Sequence, residues 1–278
     1  MRELDALLDH AAAVMDGDRG EPRDDQLRVG VDLGTAHTVV VVTDGTGWPL
    51  AGAYKFAQVV RDGVVVDFHG AIALVKELKV ETEERLGRSI DRAASGYPPG
   101  VALADVRAVE HVLAGADLRC TALVDEPTAA NAVLGVRDGA VVDVGGGTTG
   151  IAVFADGELV TVADEPTGGT HLTLVIAGAL GLSIEEAEAR KRDPANAAEL
   201  FPVVRPVLEK IGTIVHDVIS PHETEQLHLV GGTCRFPGIA EVIAGVTGVG
   251  ARVPGDPLFV TALGLAAHDT PSRLGDQN

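Results

Sequence analysis

Val29-Gly-Val-Asp-Leu-Gly-Thr-Ala-His-Thr-Val-Val-Val-Val-Thr43 and Val141-Val-Asp-Val-Gly-Gly-Gly-Thr-Thr-Gly-Ile-Ala-Val-Phe-Ala155 are two versions of one pattern. In each, a β-branched run reaches an aspartate, breaks at glycine and threonine, and resumes as a second apolar run closed by Asp-Gly (Asp44-Gly45 and Asp156-Gly157). The pattern predicts two strands joined by a polar turn, with a carboxylate at the end of the first strand. One plan used twice in a chain predicts two related lobes with a cleft between them.

Composition agrees with that reading. A chain of 278 residues, 46% hydrophobic and 23% charged, holds enough apolar material for two cores and excludes general disorder. The 22 Lys and Arg against 41 Asp and Glu leave a net charge of −19, which repels a phosphate backbone and argues against a nucleic-acid partner. Cys120 and Cys234 form no CxxC pair and are too few for a disulfide framework or a zinc cage, as expected in a reducing cytosol. The longest uncharged stretch, residues 166–184, opens with Pro166-Thr-Gly-Gly-Thr-His171, so no membrane span is expected. Met1-Arg-Glu-Leu-Asp5 carries acids where an export signal would be basic and then apolar.

Along the chain, Leu4, Leu7, Leu8, Ala11, Ala12 and Met15 recur at helical spacing and predict an amphipathic helix over 3–15, followed by a polar linker over 16–25. This helix either packs on the core or stays tethered outside it to dock on a partner. Helices are expected over 71–84, 172–180, 201–218, 238–246 and 258–267, and strands over 158–163 and 227–230. Ser183 with Glu186 has capping-box spacing and opens a further helix. The expected divisions are an N-terminal helix and linker (1–27), a first lobe (28–137 with 258–268), a second lobe (138–257) and a polar tail (269–278).

Gly145-Gly-Gly-Thr-Thr-Gly150 has the spacing of a dinucleotide loop, but such a loop opens a helix, and Ile151-Ala-Val-Phe-Ala155 alternates as a strand. No Gly-Lys-Ser/Thr occurs, which removes a Walker A site. Two facing carboxylates repel unless a cation lies between them, and a Mg²⁺ that keeps its waters suits such a pair. Glycines let backbone amides approach phosphate oxygens, and threonine hydroxyls add donors.

Val31-Asp-Leu-Gly-Thr35, Asp125-Glu-Pro-Thr-Ala-Ala130, Asp143-Val-Gly-Gly-Gly-Thr148 and Val230-Gly-Gly-Thr-Cys-Arg235 resemble, in order, the phosphate-one, connecting, phosphate-two and adenosine motifs of the actin/DnaK ATPase superfamily. Val59-Val-Arg-Asp-Gly-Val64, Asp67-Phe-His-Gly-Ala71, Gly96-Tyr-Pro-Pro-Gly100, Gly168-Gly-Thr-His171 and Glu185-Glu-Ala-Glu188 with Lys191-Arg192 are similar to the ethanolamine-utilisation protein J (EutJ) family, over about residues 28–266. The resemblance implies an α/β chain with the actin-like ATPase fold: two ribonuclease-H-like lobes around a nucleotide cleft.

The resemblance also implies ATP and Mg as ligands, with a role for each matching residue. Asp32 and Asp143 would be catalytic and hold Mg²⁺ through water, and Glu126 would place the attacking water. Gly34, Thr35, Gly145, Gly146, Gly147, Thr148 and Thr149 would bind the β- and γ-phosphates. Gly231, Gly232, Thr233 and Arg235 would wall the adenosine, and Glu188 and Lys191 would reach the ribose or base. The simpler reading of that last pair is a surface ion pair on one helix face. The lysine that serves the chaperone in its first lobe has no match, since Lys76 and Lys79 lie on the helix expected over 71–84; slow hydrolysis follows.

The implied role is a chaperone-like, slowly ATP-hydrolysing accessory protein of a bacterial microcompartment. It would protect, refold or assemble an ammonia-lyase-like cargo enzyme, or act on shell protein, and would be cytoplasmic and microcompartment-associated. Two other readings stay open. A small-molecule kinase of the same superfamily would need insertions that shape a substrate pocket, and a filament-forming ATPase would have to assemble against a charge of −19.

Overall fold

A computed structural model describes residues 2–61 and 63–270, the Arg2 side chain excepted. Met1, Asp62 of the motif at 59–64, and residues 271–278 of the expected tail lie outside the described residues. The chain divides into two compact units, Met1–Gly135 with Phe259–Asn278, and Val136–Leu258.

The first unit begins with α1 (Arg2–Met15), then β1 (Leu27–Leu33), β2 (His37–Asp44) and β3 (Pro49–Phe56). A short hairpin, β4 (Val60–Arg61) and β5 (Val64–Val65), precedes α2 (Phe68–Leu86), β6 (Arg92–Tyr97), α3 (Leu103–Gly115), β7 (Arg119–Asp125) and α4 (Glu126–Leu134). The second unit holds β8 (Gly139–Val144), β9 (Thr149–Ala155), β10 (Glu158–Glu165), α5 (Gly169–Leu180), α6 (Ile184–Arg192), α7 (Ala197–Ile219), β11 (Leu227–Val230), α8 (Ile239–Thr247) and β12 (Ala251–Arg252). The last helix, α9 (Val260–His268), belongs to the first unit.

The two main sheets repeat one topology. Their orders are β3-β2-β1-β6-β7 and β10-β9-β8-β11-β12. In each, the first three strands are an antiparallel meander and the last two run parallel to the strand that carries the aspartate. The two sheets are versions of one plan, as the repeated hairpin predicts.

One face of the first sheet buries Val29, Val31, Leu33, Val40 and Val42 against Ala71, Leu74, Val75 and Leu78 of α2 and Val112 and Leu113 of α3. On β1, Gly30 lets α9 approach: a Cβ there would lie 2.1 Å from the Ala262 carbonyl oxygen. In the second unit, Ala140, Val142, Val144, Ile151 and Val153 pack on α5, α7 and α8. Helix α7 starts ahead of the expected 201 and runs through Pro202 and Pro206. Its buried stripe of Leu200, Val204, Leu208, Ile211, Val215 and Ile219 outweighs the backbone hydrogen bonds that the prolines remove.

Helix α1 is part of the first unit rather than a tethered element. It packs on β3, with Leu8, Ala11 and Val14 fully buried, and Met15 occupies the space that a Cβ on Gly52 would need. The His10 ring stacks on Trp48 at 4.2 Å, and the Arg23 guanidinium lies 3.6 Å from the centre of the same indole. The segment between α1 and β1 holds no apolar side chain besides Pro22, yet polar bonds fix it. Gly20 N donates to Leu50 O (2.9 Å), Arg23 N to Asp44 Oδ2 (2.8 Å) and Gly45 N to Asp24 Oδ1 (2.9 Å). Burial would raise the Asp44 carboxyl, but hydrogen bonds from Thr46 and from the Arg23 and Trp48 amides outweigh it and hold the group below its usual range.

The expected tail from 269 needs a correction at its first residue. Asp269 is fully buried, and its carboxylate accepts from Val29 N (3.0 Å), Arg92 Nε (3.2 Å) and Thr121 Oγ1 (2.8 Å), one donor from each of β1, β6 and β7. A polar residue after a helix reads as solvated unless the donors that surround it are known. Among the described residues no helix is long and apolar enough to cross a membrane.

Two stability measurements follow. Leu8→Ala should lower the urea-unfolding free energy by about 2–5 kcal/mol, the usual cost of a core leucine, whereas a merely tethered helix would lose nothing. Asp269→Ala leaves the buried Val29 amide unpaired and takes the carboxylate from Arg92, and should cost about 3 kcal/mol by the same measurement.

Candidate functional site

In the first unit, three parallel strand ends come together. Val31 of β1 is in register with Ser95 of β6, and Tyr97 at the end of β6 with Asp125 at the end of β7. The carboxyl ends of parallel strands are where α/β sheets place ligand-binding groups. Asp32 therefore shares an edge with Glu126, the first residue of α4. Asp125 caps that helix by accepting from Thr128 N (3.0 Å), and Pro127 suits its first turn. Gly96 has a physical reason here, since a Cβ would lie 3.2 Å from both Glu126 Cγ and Leu265 Cδ1. The β1–β2 turn closes when Gly34 N donates to His37 O (3.0 Å), and Thr35 sits inside it.

The second unit repeats the turn. Gly145 N donates to Thr148 O at 3.0 Å, enclosing Gly146 and Gly147. Asp143 is buried and in register with Val230 at the end of β11. The residue after Val230, Gly231, adopts φ +89°, and a Cβ on it would lie 2.3 Å from Asp143 Oδ1. Only glycine lets β11 end beside that carboxylate. Gly232 and Thr233 then begin a short 3-10 turn, Gly232–Arg235, and Thr233 Oγ1 donates to Gly145 O (2.8 Å).

Several of these side chains have partners within their own unit. The Thr149 hydroxyl is buried and donates to Thr167 O (2.6 Å), so it braces β9 instead of facing the turn. The Arg235 guanidinium makes a two-pronged ion pair with Asp256, Nε to Oδ1 at 2.8 Å. Glu188 and Lys191 are no surface pair: their side chains are 17% and 13% exposed, 2.7 Å apart, and Lys191 also donates to Gly169 O and Thr173 Oγ1. Burial first of all depresses the Lys191 ammonium, against the opposing pull of Glu188. In the first unit, Lys76 binds Asp117 (3.2 Å) and Lys79 binds Glu83 (2.8 Å).

Thr173 escaped the sequence reading, because nothing in a helical apolar run marks a threonine as a partner for residues 15 and 18 positions away. Among the described residues, no three His, Cys, Asp or Glu side chains gather into a cation site.

Comparison with known proteins bears on this arrangement. The profile of the cell division protein FtsA matches residues 140–264, and that of the MreB/Mbl protein matches residues 51–181. The ethanolamine utilization protein EutJ of Escherichia coli (strain K12) is 40% identical over 250 residues, 90% of this chain and 88% of that protein. Its Salmonella typhimurium counterpart is 41% identical over 244 residues, 87% of this chain and 86% of that protein. The crystal structure of EutJ from Carboxydothermus hydrogenoformans superposes with a TM-score of 0.91 at 46% identity, over 96% of this chain and 98% of that one. MreB5 of Spiroplasma citri bound to AMPPNP gives 0.70 at 16% identity, over 87% of this chain and 95% of that one, a likeness of fold alone. With its two repeated sheets, its paired aspartate turns and relatives of this identity along nearly its whole length, the chain belongs to the ethanolamine utilization protein EutJ family and has the actin-like ATPase fold.

Proposed function

We propose that this chain binds ATP with Mg²⁺, hydrolyses it slowly, and works as a chaperone-like accessory protein in ethanolamine utilization, protecting, refolding or assembling a microcompartment enzyme or its shell. The observation that carries the nucleotide part is the recurrence of one turn. Gly34 to His37 and Gly145 to Thr148 close identically, each two residues after an aspartate at the end of a strand flanked by a parallel neighbour. Each such turn offers a carboxylate to the waters of a Mg²⁺ and backbone amides to phosphate oxygens. Family membership supports the pathway, and the AMPPNP bound to a structural neighbour, MreB5 of Spiroplasma citri, is consistent with the ligand class.

Within this reading Glu126 orients the attacking water, and Asp32 and Asp143 hold the metal through its hydration shell. Mg²⁺ supplies charge neutralisation along the phosphates. Slow turnover follows from the first unit, where the two lysines of α2 are already bound to carboxylates. The client would be a protein of the microcompartment.

Two measurements test this. Mg²⁺ with ATP should raise the melting temperature, a ligand at a hundredfold excess over Kd being worth about 2.7 kcal/mol, and Asp143→Ala should remove most of the Mg²⁺-dependent part. No shift in the parent chain, or an undiminished one in the variant, defeats the reading. Steady-state phosphate release should stay below about one per second, under the range of metabolic kinases, and should not rise with added sugars. Sugar-dependent release would favour the small-molecule kinase instead.

A further inference from the structure

The motifs Val59-Val-Arg-Asp-Gly-Val64 and Asp67-Phe-His-Gly-Ala71 play no part in the chemistry proposed above. In the first unit they build the hairpin of β4 and β5 and open α2. Val66 N and Asp67 N both donate to Val59 O (3.0 and 3.2 Å), which closes the base of the hairpin, and the Asp67 carboxylate caps α2 by accepting from Gly70 N (2.8 Å). At the tip, Gly63 adopts φ +78° and is pressed against the loop after β6: a Cβ there would lie 2.8 Å from Pro98 Cγ and 2.9 Å from Val101 Cγ2. Strands of two residues are not stable by themselves, so the hairpin depends on what packs against it.

That loop covers one side of the hairpin, and the other side is open. Val64, Val66 and Phe68, at every second position, are exposed, as is Leu103 at the start of α3, the helix that packs beside β5. Leu103 is 79% exposed and Val66 55%, the two highest values for large apolar side chains among the described residues. Single exposed apolar side chains are ordinary, but four gathered around one hairpin mark a surface for association. The described charged side chains along this face cancel, Arg61 and Arg107 against Asp67 and Asp105, in a chain whose net charge is −19.

We propose that this face is where two copies of the chain meet, in a two-fold contact that sets Val64, Val66, Phe68 and Leu103 of one copy against the same residues of the other. A two-fold contact places a surface on itself, so it requires a patch without excess charge, and the hairpin face meets that condition. The other exposed apolar strip, Leu159, Val160 and Val162 of β10, does not, because Glu158, Asp164 and Glu165 flank it and self-association would set carboxylates on carboxylates. A basic partner would be matched by acids around the patch, and the balance of Arg61 and Arg107 with Asp67 and Asp105 supplies no such excess. The chain's own segments do not suit the face either: α1 is already buried on β3, and residues 271–278 hold one large apolar side chain, Leu274. The contact requires no nucleotide.

Sedimentation equilibrium of the full chain, without nucleotide, tests this. A monomer–dimer equilibrium is expected, with a Kd of about micromolar order for a contact of this kind. It should tighten as salt rises from about 0.05 to 0.5 M, because screening weakens the repulsion between two acidic molecules while the apolar contact persists. Leu103→Glu introduces a carboxylate at an exposed position in the first turn of a helix, where it is tolerated, and should keep the melting temperature while weakening dimerisation about tenfold or more. Leu103→Lys should weaken it comparably, which separates the loss of apolar contact from the added negative charge. Leu159→Glu, on β10, should leave the Kd nearly unchanged. A chain that stays monomeric at every salt concentration overturns the proposal and leaves the face to a different partner. A dimer that persists in both Leu103 variants, that is lost in Leu159→Glu instead, or that weakens as salt rises overturns it as well.

Discussion

A strand that ends beside a parallel neighbour and must also fold back on its antiparallel partner has only a few residues in which to turn. In both units the solution is a backbone bond across the turn, Gly34 N to His37 O and Gly145 N to Thr148 O, each 3.0 Å. Both turns leave an aspartate two positions earlier, at the edge where the parallel strands finish. Nearly everything else in each unit keeps that turn in place. The first unit uses its parallel strands β6 and β7, the cap of α4 by Asp125, and α9 laid against Gly30. The second uses the glycine at the end of β11, the Thr233 hydroxyl and the first turn of α5.

Support for the two turns is built from different materials. The outer parts of the first unit are locked by buried apolar and charged groups: α1 closes over β3, and Asp269 collects one donor from each of three strands. A carboxylate buried with three donors is tolerable because the hydrogen bonds it accepts offset the loss of its hydration. In the second unit, the equivalent meander ends in β10, whose Leu159, Val160 and Val162 remain exposed. A shift of register between Leu159 and Thr161 bends that edge strand, a common device against further strand pairing. Here the polar network on α5 and α6 takes the bracing role that α1 and Asp269 play elsewhere.

Particular residues show why some of this was legible beforehand. The two hairpins could be read because β-branched runs, an aspartate and glycines act locally, through steric restriction and turn geometry. The capping box at Ser183 and Glu186 was legible for the same reason, and forms as expected. The fate of α1 was not. An apolar face on a short helix fits a core or a partner equally well, and only its packing on β3, where Gly52 leaves room for Met15, decides between them. Glu188 and Lys191 illustrate a further limit: three-residue spacing on a helix is the same whether the face is wet or buried.

Residues close in the chain were enough to dictate the paired strand–turn–strand segments, the placement of Asp32 and Asp143 at strand ends, most helices and the likeness to a family. Other outcomes needed the folded chain: Asp269 became a buried hub, Thr149 and Thr233 directed their hydroxyls to backbone carbonyls, and Lys191 found Gly169 and Thr173. Each of those outcomes turns on which donors and acceptors arrive from distant segments once the sheets have formed. A polar side chain carries no record of its partner, only of the bonds it is able to make.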